Sequence, residues 1–180
     1  YSIYPWSGLI ESVVGNNGSP GAFAVQNVSY ETVVAMTNKM STGGYRGVGW
    51  SAGSYAREMV LSKAAKLLNL DITDIYQKNF IHKDAFPYTS ATNQVYDSGD
   101  YHKVLNKCLD LANYVNEKQG TRRTKDGKLK GIGVSFFVEP TNWGSRTAQE
   151  SGFQQATFHD TTTIEIDPGG KVTVRSGQFN

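Results

Sequence analysis

The stretch "TGGYRGVGWSAGSYAREMV", Thr42 to Val60, decides how this chain is read: five glycines fall between Gly43 and Gly53, and a helical pattern begins directly behind them. Glycine at such density lets a backbone come close to something, because it alone leaves room for a neighbour and tolerates left-handed conformations. The neighbour could be a strand, a phosphate or a reacting molecule. Gly47, Gly49 and Gly53 are spaced one residue too long for a G-x-G-x-x-G dinucleotide fingerprint, and the loop lacks the Lys-Ser/Thr pair of a P-loop. A glycine turn feeding a helix N-terminus still offers unpaired N–H groups and the positive end of a dipole. Arg46, in the middle, adds a planar fork of donors suited to phosphate, carboxylate or a heterocycle edge. The plainer alternative is a tight strand-to-helix connection with Arg46 on the surface.

Downstream of the loop, Ser51 or Ser54 is placed to cap a helix in which Tyr55, Met59, Val60, Ala64, Leu67 and Leu68 recur at three- and four-residue steps, predicting one buried stripe. A short second helix follows in "LDITDIYQKN", with Asp71 as cap and Asp74 in the capping-box position. Ser98 to Asp100 introduce a third, with Val104, Leu105, Cys108, Leu109, Ala112 and Val115 as its core stripe. Upstream, Pro20 to Lys39 is rich in valine, threonine and aromatics in rough alternation and predicts two strands broken near Gln26 and Asn27. "KGIGVSFFV", Lys130 to Val138, reads as a buried strand whose Gly131 and Gly133 admit another backbone. "TTTIEIDPGGKVTVRSG" alternates on both sides of Asp167 to Gly170, the mark of a hairpin. Between Glu139 and Asp160 the sequence is polar, carries aromatics and has no firm period.

These elements predict an α+β fold forming one partial domain over residues 1–180: strands from Tyr1 to about Asn38, glycine loop and helices over 44–118, strands and hairpin over 128–180. Tyr1 is no initiator methionine and "VRSGQFN" stops just after a strand, so a piece of a longer chain is expected. Eighteen basic against sixteen acidic residues leave a net charge of +2, too little for a nucleic-acid footprint. The one basic cluster, Arg122 to Lys130, holds an Asp-Gly turn and reads as a solvated bend. No apolar run is long enough to span a bilayer. One cysteine excludes an internal disulfide or multi-thiolate metal site and suits a reducing, cytoplasmic compartment.

Other chemistry is thin. His82, His102 and His159 are far apart with no second ligand one turn away, and His102 is expected to face solvent. Cys108, on the predicted core stripe, is expected to act as a small hydrophobe. Glu139, beside Pro140, and Glu58, early in the first helix, could each be a general base, but a cap or ion-pair role is the simpler expectation for both.

The order of these pieces resembles the molybdenum-cofactor-binding large subunit of the xanthine dehydrogenase, aldehyde oxidase and carbon monoxide dehydrogenase family. "PGAFAVQNVSYETVVAMTN", "GGYRGVG", "AREMVLSKAAKLLNLDITDIYQKNFI", "VYDSGDYHKVL", "KGIGVSFFVEPT" and the closing hairpin occur in that family's order. The resemblance implies that Arg46 and Gly47 contact the molybdopterin cofactor with Tyr45 packed behind them, and that Val48 lines the substrate pocket. In the carbon monoxide branch a copper-binding cysteine stands at the position of Gly47, so hydroxylation at carbon is expected here instead. The implied reaction is oxidative hydroxylation of an aldehyde or an N-heterocycle, with electrons leaving through [2Fe-2S] clusters to FAD on other domains or subunits. The implied partners are the remainder of the subunit, the iron-sulfur and FAD components and a small-molecule substrate, with neither nucleic acid nor membrane. The family's glutamate base, in a Gly-x-Gly-Glu segment, is not in these residues, so no catalytic or metal-ligating residue is assigned and the piece alone is expected to be inactive. Trp50, Ser51 and Ala52 replace the Arg-Pro-Glu/Gln that often follows the loop, which leaves a second expectation open: a non-catalytic scaffold or interaction module with the same fold.

Overall fold

The computed structural model describes residues 7–35, 37, 38, 45–120, 123, 124, 126–140, 149 and 161–177. Two compact units divide the chain, residues 1–139 and 140–180. In the first, helix α1 (Ser7–Asn17) and helix α2 (Trp50–Leu68) lead to α3 (Ile72–Asn79), a two-stranded pair β1 (Tyr88–Thr89) and β2 (Val95–Tyr96), then α4 (Tyr101–Leu111) and α5 (Tyr114–Gln119). The second holds the hairpin β3 (Thr162–Ile166) and β4 (Val172–Ser176). Helices and short antiparallel pairs make the class α+β, as the sequence predicts.

The core of the first unit is aromatic. Phe80 lies at its centre, with ring centroids of Phe23, Tyr76, Tyr101 and Phe136 between 4.6 and 6.0 Å away. Ala22, Ile81, Tyr96 and Leu105 complete it. Burying such rings removes large apolar areas from water, about 150–250 Å² each. Residues 22–24 reach α3 through a bridge of Phe23 with Phe80, in which the Ala24 N–H donates to the Asn79 carbonyl at 2.8 Å and the Ile81 N–H to the Ala22 carbonyl at 2.9 Å.

Several expectations are corrected. Residues 24–35 form no strand, and the chain before them is the helix α1. The cap of α2 is Gly49, not a serine. The apolar row Tyr55, Met59, Val60, Leu67 and Leu68 is exposed. What α2 turns inward is Trp50, Gly53, Arg57, Leu61 and Ala65, a row of the same helical period disguised by a charge and a glycine. On α4 the inward row is Tyr101, Leu105 and Leu109, while Val104, Cys108 and Ala112 are exposed, as is Val115 on α5. The misread residues lie one or two positions from the inward rows, about 100–200° of helix rotation, while Leu105 and Leu109 point inward as predicted. Cys108 is therefore a free surface thiol.

Residues 130–138 form no strand either, although Val134, Phe136 and Val138 do point inward with the period of one. Side chains stand in for a ladder: the Tyr76 hydroxyl reaches the Val134 carbonyl at 3.2 Å and an Arg57 nitrogen donates to the Phe136 carbonyl at 3.1 Å. No other atom lies within 4 Å of a Cβ built at Gly131 or Gly133, so neither glycine admits a backbone among the described residues.

Asp71 is the cap of α3, accepting from the Thr73 N–H at 2.9 Å and the Thr73 hydroxyl at 2.8 Å. Asp74 is exposed and closes no box among the described residues. Asp71 also accepts from the Tyr114 hydroxyl at 3.2 Å and pairs with Lys118, fastening α3 to α5. Partial burial pushes its carboxyl up, but the bonds from Lys118 and Thr73 outweigh that and hold it below the usual value. A depressed folded-state value means the contribution is whole above the unfolded carboxyl's pKa of about 4 and is lost as pH falls through the folded value. Asp71→Asn is therefore expected to lower stability at neutral pH and to flatten acid unfolding below about pH 4, read from thermal melts across pH. Equal acid sensitivity in both proteins would contradict this.

In the second unit, β3 and β4 pair in the register Ile164 to Val174 and Ile166 to Val172, around the predicted turn. The Asp167 carboxylate accepts from the Gly169 and Lys171 N–H groups, each at 2.9 Å, and Gly170 takes a φ of 83°. Ile164, Ile166, Val172 and Val174 share one face and are all exposed. The bend near Arg123 is a solvated turn, as expected, with the Thr124 N–H donating to the Lys128 carbonyl at 2.9 Å.

Candidate functional site

Two successive turns build the loop. The Val48 N–H donates to the Tyr45 carbonyl at 2.7 Å and the Trp50 N–H to the Gly47 carbonyl at 2.8 Å. In each turn the third residue is a glycine in the left-handed region, Gly47 at φ 97° and Gly49 at φ 69°. That is the position where a turn with positive φ demands glycine, and it explains the alternation in "YRGVGW".

The glycines then divide by task. A Cβ on Gly53 would meet the Gly15 carbonyl oxygen of α1 at 2.6 Å, and one on Gly15 would meet the Gly49 carbonyl oxygen at 2.9 Å. One on Gly49 would fall inside the Glu11 carbonyl oxygen. Nearby, Trp50 occupies the space beside Gly18, at 2.6 Å from its built Cβ. Much of the loop thus serves the crossing of α2 over α1, with the two main chains in contact. The strand, phosphate or reactant of the opening question gives way here to another helix.

Gly47 differs. Among the described residues a Cβ there would meet only the Glu139 Oε1 at 3.9 Å and the Ser51 hydroxyl at 4.0 Å, ordinary contact distances. Tyr45 is 82% exposed. Arg46 is exposed and Val48 half-buried. The structure brings these four neighbours in sequence to one open edge, with Ser51 and Glu139 beside Gly47.

The other candidates lie elsewhere. Glu58 is a structural partner: its carboxylate accepts from the Tyr76 hydroxyl and faces Arg57 Nε at 3.5 Å. Burial and the adjacent Glu58 hold the Tyr76 phenol far above its ordinary pKa. Arg57, which sequence reasoning passed over, also donates to the Ser19 carbonyl at 3.2 Å and lies 5.6 Å from the Phe23 ring centroid. Its helical step from Gly53 and to Leu61 was the available signal. His102 is half-buried against Phe80 rather than free in solvent, and its Nε2–H donates to the Gln77 carbonyl at 3.0 Å. His159 lies outside the described residues, among which no group of three His, Cys, Asp or Glu is placed to hold a metal. None of the described helices is long and apolar enough to cross a membrane.

The α+β fold with this glycine turn defines a portion of a molybdopterin-binding domain, and residues 3–80 match the family model described as the molybdopterin cofactor-binding domain. The chain belongs to the family of molybdenum-cofactor-binding large subunits. It is similar to the nicotine 6-hydroxylase large subunit of Paenarthrobacter nicotinovorans, with 32% identity over 87% of this chain and 19% of that protein. It is similar also to the carbon monoxide dehydrogenase large chain of Hydrogenophaga pseudoflava, with 35% identity over 68% of this chain and 16% of that one. Among solved structures, quinoline 2-oxidoreductase from Pseudomonas putida 86 superposes with a TM-score of 0.83 and 38% identity, covering 98% of this chain and 22% of that chain. The chain thus spans about a fifth of the length of these relatives.

Proposed function

We propose that the chain contributes the Arg46 edge of a cofactor pocket in a molybdenum hydroxylase that oxidatively hydroxylates an N-heterocycle or an aldehyde, with electrons passed on to [2Fe-2S] clusters and FAD held elsewhere. The observation that carries this reading is the division of the loop: Gly49 and Gly53 are consumed by the crossing with α1, whereas Tyr45 and Arg46 are exposed and Gly47 meets nothing closer than 3.9 Å among the described residues. An exposed guanidinium, a ring and a turn without a side chain suit a flat, polar, anionic group such as molybdopterin. Bound there, the cofactor supplies the oxidative chemistry that no side chain has. Arg46 would hold its polar edge, Gly47 would let it approach the main chain, Tyr45 would cover it and Val48 would border the substrate. Gly47 offers no thiol for a copper ion, which favours hydroxylation at carbon over carbon monoxide chemistry. The nitrogen heterocycles in the names of the nicotine and quinoline enzymes favour a substrate of that kind.

Arg46→Ala in the complete native protein is expected to weaken cofactor retention roughly ten- to a hundredfold, the loss of a charge-assisted contact of about 1.5–3 kcal/mol. Molybdenum content per chain reads this directly, and the melting temperature of the cofactor-depleted protein should hold because Arg46 is exposed. A native protein without molybdenum, or an Arg46→Ala variant with full molybdenum and unchanged turnover, would overturn the proposal.

A further inference from the structure

Glu139 ends the first unit as a carboxylate with no hydrogen bond or ion pair among the described residues, and its Oε1 is the nearest group to the bare side of Gly47. Its placement is not an accident of a loose segment. Three residues upstream, the Phe136 carbonyl is clasped by Arg57 at 3.1 Å and the Phe136 ring is buried in the core. Val138, immediately before it, packs on the same core. Pro140 follows, and a residue before proline is restricted to extended conformations. The segment therefore delivers Glu139 to the loop from an anchored base.

We propose, resting on the cofactor reading above, that Glu139 is a ligand-binding residue of the same pocket: its carboxylate, beside the Ser51 hydroxyl, accepts an N–H from a heterocycle edge seated in the gap at Gly47. Arg46 and Glu139 then supply opposite polarity to one bound molecule, a donor fork from the loop and an acceptor from residue 139. A heterocycle presenting both acceptor and N–H groups fits that pair, and two sources carry this chemistry, the pterin of the cofactor and the ring of the substrate.

Carbodiimide and glycinamide labelling of Glu139, followed by peptide mass spectrometry, tests this on the complete native protein with molybdenum bound, on the cofactor-depleted protein, and on the loaded protein with quinoline as probe. Labelling at least tenfold slower in the loaded protein than in the depleted one assigns the acceptor to the pterin. Tenfold slowing only when quinoline is added assigns it to the substrate ring. Equal labelling in all three states overturns the proposal while leaving the cofactor reading intact, whereas a native protein lacking molybdenum overturns that reading and this one with it. Glu139→Gln provides a second reading independent of labelling: it keeps the size but not the charge, and is expected to lower molybdenum content in the first case or to raise KM at unchanged molybdenum content in the second. A variant that changes neither contradicts the assignment.

Discussion

Gly49→Val is expected to destabilise the first unit severely. Two costs combine at that position. A β-branched residue at φ 69° is strained, and its Cβ would fall inside the Glu11 carbonyl oxygen, an atom of helix backbone that cannot turn aside. Left-handed strain costs about 1–3 kcal/mol and overpacking typically a further 1–3 or more, against a total stability of about 5–15 kcal/mol for a native protein. Gly47→Ala is the matched control, because its φ is also positive but its methyl group would meet nothing closer than 3.9 Å. Limited proteolysis and thermal melts of the complete native protein should show Gly49→Val cleaved within residues 7–68 and Gly47→Ala folded. Similar melting of Gly49→Val and the parent would refute the helix crossing as described.

Arg57→Met is expected to be almost as damaging, at about 3–5 kcal/mol, the usual consequence of deleting one partner of a buried ion pair. Arg57 and Glu58 expose only 9% and 13% of their side chains. Removing the guanidinium strands Glu58 and takes the donor from the Ser19 and Phe136 carbonyls. Arg57→Lys should recover little, since a single ammonium cannot reach carbonyls on two segments at once. The double variant Arg57→Met with Glu58→Leu should regain part of the loss, because the buried charge disappears with its partner. Denaturant unfolding of the parent, Arg57→Met, Arg57→Lys, Glu58→Leu and the double variant measures this, and additive losses of the two single variants in the double one would mean the pair does not act as one unit.

The contrast between these two sites shows what the sequence could and could not convey. The helices following the loop, the Asp71 cap, the start of α4 behind Ser98 to Asp100 and the closing hairpin were readable, since each rests on local chemistry within a few residues. The inward face of α2 was not, because Arg57 and Gly53 occupy core positions that a count of apolar residues skips, and that of α4 was read only in part, through Leu105 and Leu109 but without Tyr101. Nor are the strands read in residues 20–39 and 130–138 found among the described residues: Val134, Phe136 and Val138 do point inward, but a ladder needs a partner that composition cannot supply. At the candidate site, Arg46 and Gly47 stood out by motif and resemblance. Glu139 could be seen as a carboxylate near a proline but not as Gly47's neighbour, because 92 residues of chain separate the two and only tertiary structure closes that distance.

The hairpin of the second unit carries a practical corollary for dissecting this polypeptide. Four aliphatic side chains line one side of a two-stranded ribbon that has no third strand beside it among the described residues, and a ribbon of that kind is marginal in water and prone to recruit copies of itself along its free edges. A recombinant product trimmed to this stretch should come out of the cell as insoluble material, however sound its helical half.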